Sequence, residues 1–98
     1  MRLEFAREAL ADLDAIYRHG VAEFGAAQAD RYADALARTL DLICEYPAIT
    51  PVIPDRSDGL RRRSVGVHSL YFTATPDLVR VVRVLHQRMD VEGQGGTD

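Results

Sequence analysis

Apolar and polar positions change their period twice along this 98-residue chain. Leu3 and Phe5 alternate with Arg2 and Glu4, the period of a short strand. From Ala6 onward Ala9, Leu10, Leu13, Ile16 and Tyr17 recur at three and four, with Glu8, Asp12 and Asp14 elsewhere on the wheel. That spacing predicts an amphipathic helix to about Phe24, weakened in its last turn by Gly20 and ended by Gly25, which can take positive φ. A second stripe of Ala29, Tyr32, Ala33, Leu36, Leu40 and Ile43 predicts another helix, which Pro47 stops. So short a connection makes the two an antiparallel hairpin.

Beyond Pro47 the helical period is gone. Residues 47–59 hold Pro47, Pro51, Pro54 and Asp58-Gly59, a stiff extended loop ending in a turn. Three strands follow, at about 60–66, 67–75 and 78–86. The first is basic. The second sets His68, Leu70, Phe72 and Ala74 on one face and Val67, Ser69, Tyr71 and Thr73 on the other. Thr75-Pro76-Asp77 is a turn, and the third strand is apolar on both faces, which places it inside the sheet. The expected fold is α+β: an N-terminal strand, an antiparallel helix hairpin, then a three-stranded antiparallel meander packed against the helices. One domain spans 1–90, and the glycine-rich, polar residues 91–98 are expected to form a flexible tail.

Composition narrows the function classes. Net charge is −3 and pI about 5.5, which argues against a protein whose main work is gripping phosphate backbones, and against sequence-specific nucleic-acid binding by the chain alone. The charge is uneven: five arginines stand against ten acids in residues 1–55, and seven against five in 56–98. Every basic residue is arginine, so any anion contact uses a planar fork and lysine chemistry is excluded. No apolar run approaches the roughly 20 residues of a membrane helix, and the N-terminus lacks a secretion-type stretch, so a cytoplasmic protein without membrane contact is expected. The single cysteine, Cys44, fits a reducing compartment and reads as a buried, inert thiol.

Several polar residues sit where folding alone does not demand them. Arg61, Arg62 and Arg63 alternate across a strand, as an edge guarded by charge or as a binding surface. His68 shares a face with Leu70 and Phe72, as a satisfied core histidine or a functional one. Arg83, inside an apolar strand, asks for a charge partner, with an acid of the helical hairpin the candidate. Tyr32, four residues from Gln28, reads as a buried tyrosine whose hydroxyl finds a local partner. Asp12 and Asp14 point in different directions and make no acid–base pair. No metal spacing appears: of His19, His68 and His86, only the last two can converge through strand pairing, and no cofactor is expected.

Taken in order, these pieces resemble the ParE-type toxins of the RelE/ParE superfamily. The resemblance lies in Ala9-x-x-Asp12-Leu13-x-x-Ile16-Tyr17, in Phe24-Gly25-x-x-Gln28-Ala29-x-x-Tyr32 and in Tyr46-Pro47. It continues in Gly59-Leu60-Arg61 with His68-x-x-Tyr71, and ends in Arg83-Val84-Leu85-His86-Gln87-Arg88-Met89-Asp90. It covers about residues 3 to 90, and the last motif is the most specific. The resemblance implies the toxin of a type II toxin–antitoxin module that inhibits bacterial DNA gyrase, neutralised by a ParD-like antitoxin in a hetero-oligomer. A gyrase inhibitor needs surface and no catalytic residue. Arg61, Arg63, His86, Arg88 and Met89 are its candidate target contacts, and Leu10, Leu13, Tyr17, Leu36 and Leu40 the candidate antitoxin contacts. The alternative is ribosome-dependent mRNA cleavage of the RelE type, with Arg61, His68, His86 and Arg88 as its active site. Against cleavage stand the missing lysine, the missing tyrosine after Asp90 and the negative net charge.

Overall fold

The computed structural model describes residues 2–89. The elements follow the expected order: β1 (Arg2–Phe5), α1 (Arg7–Phe24), α2 (Ala26–Glu45), β2 (Arg61–Val65), β3 (His68–Ala74) and β4 (Leu78–His86). The tail expected at 91–98 lies outside the described residues, as does Asp90 of the last motif.

Gly25 joins the helices at φ 89°, a conformation that costs a side chain dearly, and is the single residue between α1 and α2. Gly20 does not fray α1; it sits at the helix crossing, where an added Cβ would meet Ala29 at 3.4 Å. Past α2 a 3-10 turn, Pro47–Ile49, leads into the proline loop. That loop returns along the outer edge of β2, through a Val52–Arg61 bridge and an Ile53 N–H to Leu60 carbonyl bond of 2.8 Å.

The sheet order is β1-β4-β3-β2, so β4 is central as its two apolar faces predict. The meander is antiparallel, but β1 adds to it in parallel, pairing Arg2 with Leu78 through Phe5 with Val81. Strict alternation fails in one place. Phe72 pairs with Val81 and Tyr71 with Arg83, so Val82 is an extra residue, a bulge. The bulge resets the pleat, and Val79 and Val81 before it and Val84 after it are all buried. They pack with Leu70 and Phe72 of β3 against Ala9 of α1 and Leu36, Leu40 and Ile43 of α2. Cys44 is half-buried beside this core, and burial pushes its thiol above the ordinary value, which keeps it protonated and unreactive.

Leu70 is fully enclosed at the centre of this core. Leu70→Ala is expected to cost about 2–5 kcal/mol in urea denaturation, because the surrounding strands cannot collapse into the space.

Candidate partner-binding groove

Two long-range polar joins attach the hairpin to the sheet. The first is Asp12 of α1. Arg83 donates to it through Nε (2.8 Å) and Nη2 (2.9 Å), and the Val84 N–H donates to its Oδ2 at 2.9 Å. The reason lies in strand length. Parallel pairing with β1 ends as the Ala6 N–H reaches the Val81 carbonyl, so the β4 edge beyond it has lost its strand partner. Asp12 takes over the next exposed amide. Burial opposes ionisation of Asp12, but the Arg83 bond, the Val84 amide and the Arg83 charge outweigh it and hold the carboxyl below its ordinary value. Arg83 thus has the hairpin acid its position called for.

The second join is Tyr32 of α2. Its hydroxyl accepts the Val67 N–H at 3.1 Å and lies 3.0 Å from the Val65 carbonyl and 2.6 Å from His68 Nδ1. The ring covers Gly66 so closely that a Cβ there would come within 2.5 Å of it, and φ at Gly66 is 58°. Tyr32 therefore fixes the β2–β3 turn. Its partners lie 33 to 36 residues away, not on its own helix, a correction to the local partner expected from the sequence. Burial raises its pKa, so the hydroxyl keeps its proton.

Between these joins, the hairpin and the end of β4 enclose a groove of about 1190 Å³. Its apolar lining includes Leu13, Ile16, Tyr17 and Phe24 of α1, Leu36 and Leu40 of α2, and Val84, Leu85 and Met89. Phe24 is 62 % exposed and Met89 53 %, large apolar side chains open to solvent at the groove. The polar lining holds His19, His68 and His86 together. Sequence spacing allowed only the last two to converge; α1 brings His19 to the same cavity. The rings of His68 and His86 are 5.3 Å apart and nearly perpendicular. Burial first, then the nearby His86 and His19, hold His68 below its ordinary pKa. Among the described residues, no group of three or more His, Cys, Asp or Glu is placed to hold a metal ion.

The candidate residues divide between this groove and other places. Leu13, Tyr17, Leu36 and Leu40 line the groove, the last two as nearly buried floor; Leu10 is exposed outside it. His86 and Met89 line it as well. The Arg88 N–H donates to His86 Nδ1 at 3.1 Å, and the Arg88 side chain is exposed. Arg61 and Arg63 are elsewhere, and both are engaged. Arg61 donates to the Thr50 carbonyl and Arg63 to the Thr50 hydroxyl at 3.1 Å, tying β2 to the buried end of the proline loop. Arg61 pairs with Phe72 at one end of β2, and Val65 pairs with His68 at the other, about 13 Å along the strand at ~3.3 Å per residue. Arg61, His68, His86 and Arg88 therefore do not form one constellation; only the two histidines and the Arg88 backbone meet. Phe24 and His19, which spacing did not single out as site residues, belong to the groove. Phe24 carried a signal, a large apolar residue just before a helix-ending glycine.

The geometry is thus a four-stranded sheet packed against a helix hairpin, with an open apolar groove at their junction. The sequence profile described as "ParE toxin of type II toxin-antitoxin system, parDE" matches residues 3–91, so the chain belongs to the ParE toxin family. It is 33 % identical to Toxin ParE1 of Caulobacter vibrioides over 91 residues, 93 % of this chain and 94 % of that one. It is 35 % identical to Toxin ParE1 of Mycobacterium tuberculosis over 85 residues, 86 % of this chain and 87 % of that one. In fold it resembles a chain of the chromosomal ParDE TA system from P. aeruginosa. The TM-score is 0.73 at 24 % identity, over 88 % of this chain and 95 % of that one. Among the described residues no helix is long and apolar enough to cross a membrane.

Asp12→Ala is expected to cost roughly 1.5–3 kcal/mol in chemical denaturation, the usual worth of hydrogen bonds to a charged group. It should also speed hydrogen exchange at the Val84 amide. The sign with pH follows from the lowered pKa: the stabilisation is complete above the ordinary value of 3.8 and is lost as pH falls below it. The gap between wild type and variant should close in strong acid, and a gap constant down to pH 2 would rule out this role for the carboxylate.

Proposed function

We propose that this chain is the toxin of a type II module, acts in the cytoplasm on bacterial DNA gyrase, and is neutralised by a ParD-like antitoxin seated in the groove. The family match across nearly the whole chain carries the reading. Two features of the site support it. The groove is apolar and lined by side chains of both helices and β4, the shape that accepts the apolar face of an amphipathic helix. And the four residues a cleavage mechanism would recruit are divided, with Arg61 committed to the proline loop.

Candidate surfaces for antitoxin and target overlap at His86 and Met89, which share the groove with Leu13 and Tyr17. An antitoxin helix seated there covers part of the target contact, so neutralisation is by occlusion. Arg61 and Arg63 remain candidate target contacts only through the faces that Thr50 leaves open. Replacing them disturbs the loop as well as any contact, so their loss by itself does not report on gyrase.

Purified toxin added to gyrase, plasmid and ATP is expected to accumulate cleaved linear DNA or to abolish supercoiling, while mRNA on translating ribosomes stays whole. Codon-specific cuts in mRNA with untouched supercoiling would replace this reading with the nuclease one. Phe24→Ala tests the groove separately. Its side chain is exposed, so thermal stability should move little, while affinity for the antitoxin encoded beside this gene should fall by about 2 kcal/mol or more, roughly thirtyfold.

A further inference from the structure

The wall of the groove carries a pair of imidazoles, His68 and His86, each held by a hydrogen bond at Nδ1. His86 Nδ1 accepts the Arg88 backbone N–H at 3.1 Å, which leaves Nε2 as the ring atom that can donate into the groove. His68 Nδ1 meets the Tyr32 hydroxyl, which has one proton and two acceptors within reach, His68 and the Val65 carbonyl. Neutral His68 accepts that proton. Charged His68 donates to the Tyr32 oxygen instead, and the hydroxyl turns to Val65. Either state keeps its bonds, so protonation alters the groove without breaking the turn.

The surroundings decide which state suits a covered groove. His86 stands over the His68 ring, and His19 of α1 lines the same cavity. Arg31, beside Tyr32 on α2, and Arg83 of β4 are the lining cations, and Asp12, the lining acid, is already bound to Arg83. Among the described lining residues, no carboxylate is left to compensate an imidazolium. In an open groove water solvates it; under an apolar helix that solvent is gone and the charge is expensive.

We propose that the antitoxin segment seated in this groove presents an uncharged apolar face, with a neutral hydrogen-bond acceptor toward His68 and His86, and that seating it expels a proton from His68, so that acid loosens the complex. This rests on the groove being the antitoxin site and adds what kind of segment fits it and how pH acts on the grip. A segment offering a carboxylate to the pair would do the reverse, drawing a proton in and binding more tightly in acid.

Calorimetry with the antitoxin encoded beside this gene tests the sign. At pH 6.5, in buffers of different ionisation enthalpy, binding should release a fraction of a proton. Between pH 7.5 and 5.5 the affinity should fall roughly threefold to tenfold, less than the roughly hundredfold that one fully linked proton would give over two pH units. His68→Gln, which can still bond to Tyr32, should reduce both effects. In case that variant does not fold, proton NMR titration of the wild-type protein is the second reading: His68 should stay neutral to lower pH in the complex than in free toxin. Proton uptake, tighter binding in acid, no pH dependence, or a His68 ring that titrates alike free and bound would each overturn the proposal. Absence of binding at pH 7.5 by folded toxin would instead overturn the antitoxin assignment itself, and this inference with it.

Discussion

The edge of β4 changes partners halfway along its length, and the geometry of the molecule depends on how that change is made. For four residues β1 supplies the partner; past Val81 the neighbour is a helix, whose own amides and carbonyls are spent internally. A side-chain acceptor must serve, and Asp12 serves at 2.9 Å while gripping Arg83 with both oxygens. One carboxylate thereby satisfies a strand amide, neutralises an arginine in an apolar strand and sets the distance between α1 and the sheet. The Val82 bulge lies immediately before this contact, where β4 leaves β1 behind.

Tyr32 does the corresponding work for α2. Its hydroxyl bonds to both sides of the Val65–Val67 turn, and Gly66 is the residue that lets the ring lie flat on the chain. With α1 held at Asp12 and α2 at Tyr32, the Gly25 end of the hairpin lies beyond both joins. The groove is the space that results. Its openness follows from the core being filled nearer the other end of α2, by Leu36, Leu40 and Ile43.

This arrangement relates neutralisation to toxicity in physical terms. The apolar surface proposed for an antitoxin and the C-terminal end of β4, proposed as a target contact, are neighbouring parts of one groove. His19, His68 and His86 lie together in that groove. The basic strand, the most conspicuous run in the sequence, contributes structure through Thr50 and lies about 13 Å along β2 from the histidines at ~3.3 Å per residue.

Element order, the central place of β4, the helix-ending glycine and the need of Arg83 for an acidic partner were all legible in the sequence, because periodicity and chain-local stereochemistry determine them. So was the family, through motifs spread along nearly the whole chain. Contacts between distant segments were not. The parallel docking of β1, the bulge at Val82 and the bonding of Tyr32 across 33 to 36 residues depend on which surfaces meet once the hairpin folds back. For the same reason the basic strand read as a charge-guarded edge or a binding surface, with no sign of the Thr50 partners of Arg61 and Arg63, and His19 read as unable to converge with His68 and His86. Local sequence determines which face a side chain occupies; only packing decides what stands opposite.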